Sequence, residues 1–293
     1  MHPSPEAAGA IYDIGYRHYD GLRLGRRGAV TAVVGAGLRA IFGLGRSGRS
    51  KVIPWGALIL ATMPAIVAVA IRVLAGDLID LYGYDSYLWQ IGALLPIFVA
   101  AQAPELVVND IRHRVLPLYF SRPMSRFDYV AAKLGALSLA LLSLTLLPVL
   151  VLFVGRVLAA EDVVGAIGDE AGALPAIIGS GLLHGVVLAG LGLAICSLAA
   201  RRAYAAGAVL AVFLIGSVVS EVLAEAGGFA DIAPFLSPLA ILDGTRQWLF
   251  GGSVAESPVG AADVPLALFS LATLVVTFGS WAVLAFRYRR ITV

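Results

Sequence analysis

The chain has 293 residues, 59% of them hydrophobic and only 14% charged. A soluble domain carries about 25% charged residues, so this composition excludes a water-soluble enzyme and identifies a polytopic membrane protein. The net charge of +2 is small; its distribution along the chain is what carries information. Cys196 is the only cysteine, so no intrachain disulfide can form.

Residues 1–27 are polar, with Tyr12, Tyr16 and Tyr19 among Arg17, Arg23, Arg26 and Arg27. That mixture suits a headgroup surface or a partner protein, or simply a solvated tail. MHPSPEAAGA has no basic region followed by an apolar core, so no cleavable signal peptide is expected. Over 28–46, Val30, Val33, Val34, Gly37, Leu38 and Ile41 share one helical face, and Thr31, Gly35 and Arg39 share the other. Arg39 near the middle of a span would cost about 2.5–3.5 kcal/mol, so an interfacial amphipathic helix is expected. The stretch Gly43 to Ser50 approaches a phosphate-loop pattern, but Arg49 replaces the lysine and no strand precedes it. The motif needs a strand–loop–helix setting, so nucleotide binding is not expected there.

Six apolar runs follow, over 52–75, 87–108, 129–159, 174–199, 203–226 and 264–286. Each is long enough for a hydrocarbon core of about 30 Å. The expected division is a cytoplasmic segment 1–51 and a six-span domain 52–293, all α. Residues 1–51 hold eight Arg/Lys and 109–128 hold four. Arg201 and Arg202 follow, and the tail carries Arg287, Arg289 and Arg290. The opposite loops are acidic, with Asp77, Asp80 and Asp85, then Glu161, Asp162, Asp169 and Glu170. Both termini are therefore expected in the cytoplasm. Prolines 54, 64, 96, 104, 148 and 175 lie in or beside spans, and Gly181, Gly185, Gly190 and Gly192 give the fourth span a small-residue face for internal packing.

The segment from Glu105 to Lys133 stands out. It holds Arg112, Arg114, Arg122 and Arg126, with His113, Asp110 and Asp128, and Leu116, Leu118, Tyr119 and Phe120 lie among these charges. Asp110 is expected to cap a short helix with Ile111, Val115 and Leu118 on one face, broken at Ser121, Arg122 and Pro123. Such a helix would offer apolar residues to a partner; the alternative is a positive-inside loop lying on lipid headgroups. The outer stretch 227–263 is too apolar for a free loop. Two short helices broken at Pro234, Pro238 and Gly244, dipping into the membrane, are expected there.

Ionisable groups within spans are Arg72, Glu105, Arg156, His184, Glu221 and Glu225. Such groups are functional candidates. Arg72, Arg156 and Glu225 sit near outer ends and can snorkel to headgroups. Glu221 and Glu225 share a helix face. His184 is read as an interhelical hydrogen-bonder or a substrate ligand, and Glu105 as a partner of a cytoplasmic arginine or a pathway residue. No catalytic set and no metal-ligand spacing occurs among His2, His18, His113 and His184. The basic residues follow membrane topology and not a nucleic-acid stripe.

Asp110, Leu116, Leu118, Ser121, Arg122, Pro123, Ser125, Arg126, Tyr129, Lys133 and Leu134 together resemble the loop between the second and third spans of bacterial ABC transporter permeases of the type-2 exporter superfamily. Roughly 25 residues carry the match, and the six-span layout extends it loosely over the chain. The family commonly has glycine where Arg114 stands and a non-proline where Pro117 stands. YDIGYRHYDG is similar to the N-terminal segment of one bacterial subgroup. Ser237, Pro238 and Leu239, followed by Asp243, Arg246 and an aromatic stretch, resemble the re-entrant helices before the family's last span.

This resemblance implies a non-catalytic permease subunit in the bacterial inner membrane, working as a dimer with a second copy or a paralogue, among membrane lipid and without nucleic acid. ATP and magnesium would belong to separate ATPase subunits. Those would dock on a coupling helix carrying Asp110, Arg112, His113, Arg114, Leu116, Leu118, Tyr119, Ser121, Arg122 and Pro123, and would tilt spans 1, 2 and 5. Two rivals stay open. One is a proton-coupled transporter using Glu105, His184 or Glu221; the other is a membrane scaffold.

Overall fold

A computed structural model describes residues 21, 24–75, 81–226, 228–252, 259–260 and 262–290. Tyr12, Tyr16 and Tyr19, with Arg17 and Arg23, lie outside these residues, as do Asp77 and Asp80. The described residues are helical or in turns, with no strand. In chain order the helices are α1 (Gly25–Ile41), α2 (Arg49–Ala75), α3 (Tyr84–Gln90), α4 (Leu94–Arg112), α5 (Leu116–Phe120), α6 (Arg126–Ala159) and α7 (Val163–Ala171). They continue with α8 (Leu174–Leu198), α9 (Arg202–Leu210), a π-helical turn (Ala211–Ile215), α10 (Gly216–Glu225), a 3-10 turn (Ala233–Leu236), α11 (Pro238–Phe250) and α12 (Leu266–Arg290). Six of these helical stretches are long and apolar enough to cross a membrane: α2, α4, α6, α8, Arg202–Glu225 and α12. The chain is a multi-pass membrane protein.

The centre of the bundle is α4, α6 and α8. The apolar windows of α8 and α4 are 67% and 61% buried, against 22% for α2 and 17% for both Arg202–Glu225 and α12. The reason is legible in α8, whose glycines let three neighbours approach. A Cβ on Gly185 would stand 3.0 Å from the Ser138 carbonyl of α6, one on Gly190 would meet Ser280 of α12, and one on Gly192 would meet Val99 of α4. The small-residue face is therefore used for internal packing, as expected. Pro54, Pro64, Pro104 and Pro148 sit inside continuous helices, and Pro175 opens α8.

Several boundaries differ from the sequence reading. The N-terminal helix starts at Gly25 and ends at Ile41, short of 46, because Gly43 and Gly45 take positive φ angles of 63° and 80° that end the helical path. Its apolar face is the expected one. Val33, Gly37 and Ile41 are buried, Val30, Val34 and Leu38 pack against the same core, and Arg39 is exposed. The second span does not begin at 87. α3 and a turn at 91–93 precede it, because Tyr87 turns inward to hydrogen-bond the Ala61 carbonyl of α2, and the span runs on to Arg112. The acidic stretch 160–173 is not a plain loop: Asp162 caps α7, accepting a hydrogen bond from the Val164 amide at 3.1 Å.

In the stretch 227–263 the break at Pro234 and Pro238 is found, but Gly244 lies inside α11 and breaks nothing. It is a contact glycine. A Cβ there would come within 2.3 Å of the Phe269 ring, which stacks on Phe235 at 4.8 Å. Alanine in a helix gains about 1 kcal/mol over glycine, whereas forcing apart a packed ring costs about 1–3 kcal/mol. Gly244→Ala is therefore expected to lower the thermal unfolding midpoint in detergent; a raised midpoint would mean that α11 and α12 are loosely packed.

Candidate functional site

Two groups of polar side chains organise the two ends of the bundle. At the basic end, Arg26 makes a bidentate pair with Asp128 at 2.7 Å for both bonds, and Asp128 completes a capping box with Ser125 at the start of α6. Arg126 donates to the Arg289 carbonyl at 2.6 Å, and Arg287 to the Ser197 carbonyl at 3.2 Å. These contacts bring the start of α6 and the ends of α8 and α12 to one side, as alternating spans require.

Between α4 and α6 stands the five-residue helix α5. Asp110 does not cap it. The residue before α5 is Val115, which makes no side-chain cap, and Asp110 belongs to the last turn of α4. Its carboxylate accepts a hydrogen bond from the Tyr129 hydroxyl at 2.7 Å and pairs with Lys133 at 2.7 Å. The chain instead turns at Arg114, whose φ of 52° is left-handed and costs a non-glycine residue about 1–2 kcal/mol. Ser121 ends the helix, its hydroxyl bonding the Leu118 carbonyl at 2.9 Å.

The ten residues expected to form a docking helix therefore divide. Asp110, Leu116 and Tyr119 turn towards the bundle; Arg112, His113, Arg114, Leu118, Ser121, Arg122 and Pro123 are exposed, Leu118 to 70%. The single face expected for Ile111, Val115 and Leu118 is split, since the first two are half-buried. Beneath α5 lies an aromatic stack, with Tyr119 and Phe120 at 5.3 and 6.2 Å from Tyr129, and Tyr129 at 5.4 Å from Tyr288 of α12. Lys133 sits 5.7 Å from the Tyr119 ring and 5.3 Å from that of Tyr129. Burial, then the Asp110 carboxylate, raise the Tyr119 hydroxyl above its ordinary value, so it stays protonated. Sequence reading did not find this stack, because its members come from α5, α6 and α12. Glu105 forms ion pairs with Arg46 and, at 2.7 Å, Arg202, tying the α1–α2 turn and the start of α9 to α4.

At the other end, Arg156 does not snorkel outward. It donates to the Tyr82 carbonyl at 2.6 Å, lies 4.6 Å from the Tyr84 ring, and faces Glu170 at 3.8 Å, which also accepts from the Tyr84 hydroxyl at 2.7 Å. Arg72 lies in the last turn of α2. Glu221 and Glu225 are both exposed on α10. Deeper in, Asp243 and Arg246 of α11 form a salt bridge with 3% and 1% of their side chains exposed. Gln247 donates to Asp243 at 2.9 Å, and Arg246 reaches the Asp85 carbonyl of α3. This pair falls in the stretch expected to form two short helices, where its pairing was not expected. The spacing of Asp243, Arg246 and Gln247 on one helical face was the available signal.

Beside this pair is a cavity of about 310 Å³ between α3, α4, α8, α10 and α11, lined by His184, Ser217, Ser220, Glu221 and Arg246 among others. It unites two of the three intramembrane candidates, His184 and Glu221; Glu105 is not part of it. Among the described residues no group of three or more His, Cys, Asp or Glu side chains is placed to hold a metal ion.

No family model matches the chain. No curated protein matches it either.

Proposed function

We propose that this protein is the permease subunit of an ATP-driven exporter of the type-2 ABC superfamily, with α5 as the helix on which separate ATPase subunits dock. The observation that carries this reading is the exposed face of α5, where Leu118 stands out among Arg112, His113, Arg114 and Arg122. An apolar knob ringed by cations suits a partner with an apolar pocket and an acidic rim. The underside of α5 rests on the start of α6, with Tyr119 and Phe120 against Tyr129 and Leu116 buried in the core. A push on α5 would therefore reach the spans instead of bending a loop. Arg114 adds support: it stands where the resembled family commonly has glycine, and its left-handed backbone is one that glycine favours.

In this reading both termini and α5 face the cytoplasm, following the arginine distribution. α1 lies at the inner interface, and the 3-10 turn with α11 dips back from the outer side before the last span. Two permeases, identical or related, form the path, and the chain itself is not catalytic, ATP and magnesium being held by the partner. The bacterial inner membrane is the expected location. The paired state of Glu105 weighs against its use as a proton carrier.

The test is a pull-down of the tagged protein in mild detergent with an ATPase assay on the eluate, beside the double reversal Arg112→Glu with Arg122→Glu. Both arginines are exposed, so folding is expected to survive. An ATPase that co-purifies with the wild type and is lost at least about tenfold in the variant, equivalent to about 1.4 kcal/mol, supports the reading. A lone membrane protein in both samples sinks it.

A further inference from the structure

The cavity beside α11 has an unbalanced set of polar groups. Arg246 and Asp243 satisfy one another and are further used by the Asp85 carbonyl and by Gln247. They contribute no net charge and no free cation. His184 places Nδ1 2.7 Å from the Ser180 carbonyl. A carbonyl only accepts, so Nδ1 carries a proton, and in the neutral ring Nε2 is then the acceptor. Ser220 is fully buried, and its hydroxyl has no hydrogen-bond partner among the described residues. The next residue, Glu221, lines the cavity and has no ion-pair partner among the described residues. The unfilled capacity is thus a carboxylate, an imidazole nitrogen and a hydroxyl, with no cation to meet them. Leaving the buried Ser220 hydroxyl unpaired costs about 1–3 kcal/mol, and the exposed Glu221 carboxylate brings a negative charge to the same cavity, so the set calls for a ligand that brings donors and positive charge. The rest of the wall carries Leu95, Leu214, Leu239 and Trp89, the last at 39% exposure, together with Gln90 and with Ser217 and Ser237, whose hydroxyls bond one another at 3.1 Å.

We propose that this cavity binds a primary ammonium group carried on an apolar body. The ammonium pairs with Glu221 and donates to His184 Nε2 and Ser220 Oγ, and the apolar part lies along the leucines and Trp89. A primary ammonium has three N–H donors; a quaternary one has the charge but none. A free amphiphilic amine and the ethanolamine headgroup of a lipid share this chemistry. The inference does not depend on the exporter reading, since it concerns binding by this chain alone.

The experiment measures equilibrium binding of radiolabelled octylamine to the full chain in phosphatidylcholine nanodiscs, with octanol and octyltrimethylammonium as competitors. Octylamine is expected to be displaced by neither competitor except at concentrations about tenfold or more above its own, a difference of about one charge-assisted hydrogen bond. Glu221→Gln, which keeps the shape at an exposed position, is expected to weaken octylamine about tenfold or more, and Ser220→Ala about threefold or more. Competition by octanol at equal concentration, or unchanged affinity in Glu221→Gln, would overturn the proposal. A second set of nanodiscs containing phosphatidylethanolamine distinguishes the sources. Loss of octylamine binding there supports the lipid headgroup as occupant; retained binding supports a free amine.

Discussion

Asp243→Ala is expected to destabilise the protein by about 3–5 kcal/mol, the usual cost of removing one partner of a buried ion pair. Arg246 is 1% exposed, and its guanidinium spends two nitrogens on Asp243 and the third on the Asp85 carbonyl. Without the carboxylate a full charge remains deep between α11 and α3. The check is an unfolding midpoint in detergent for the single variant and for Asp243→Leu with Arg246→Met. The double variant removes both charges but leaves the Asp85 carbonyl without its donor and the Gln247 amide without its Asp243 acceptor, at about 1 kcal/mol each. It is therefore expected to recover part of the loss. A double variant as unstable as the single one would show that the packing of α11, and not its charge pair, sets stability at this end.

Lys133→Met is expected to cost about 2 kcal/mol, less than a fully buried pair, because the Asp110 side chain is 16% exposed while that of Lys133 is 9% exposed. The substitution keeps the length of the side chain and removes the cation that pairs with Asp110 and lies against the rings of Tyr119 and Tyr129. The consequence extends to α5, which loses one of its attachments to α6. Limited trypsin digestion reads this directly, since Arg112 and Arg114 are exposed just before that helix, whereas Arg122 precedes Pro123 and is not cleaved. Faster cleavage there than in the wild type is expected. Adding Asp110→Asn removes the stranded charge and is expected to recover stability without restoring protection of α5. Unchanged cleavage in Lys133→Met would mean that the aromatic stack alone holds the helix.

These two clusters separate the levels at which the chain can be read. Spans are written in long local runs of apolar residues, so α2, α6, α8 and α12 fall close to their expected places. Where the second run opens on the inward-facing Tyr87, with Tyr84 just before it, local hydropathy missed a break that depends on contacts with α2 and α6. Gly244 shows the same difficulty: a glycine that ends a helix and one that admits a neighbouring ring are identical in sequence, and the Phe269 ring decides between them.

The polar sites follow the same division. Arg112, Leu118 and Arg122 could be named from their neighbours in sequence, because exposure beside a short helix is a local matter. Asp110 could not be placed that way, because its partners Tyr129 and Lys133 lie on another helix. Likewise His184 and Glu221 were individually conspicuous as ionisable groups in apolar runs, yet only the packing of α8 against α10 and α11 puts them in one cavity with Ser220 and the Asp243–Arg246 pair. Hydropathy and charge along the chain determined that this protein is helical and membrane-spanning, because transfer of each residue from water to lipid is a local quantity. Which charges neutralise one another and which are left to meet a ligand was decided by tertiary structure, because ion pairing acts over a few ångströms in space between residues far apart in sequence.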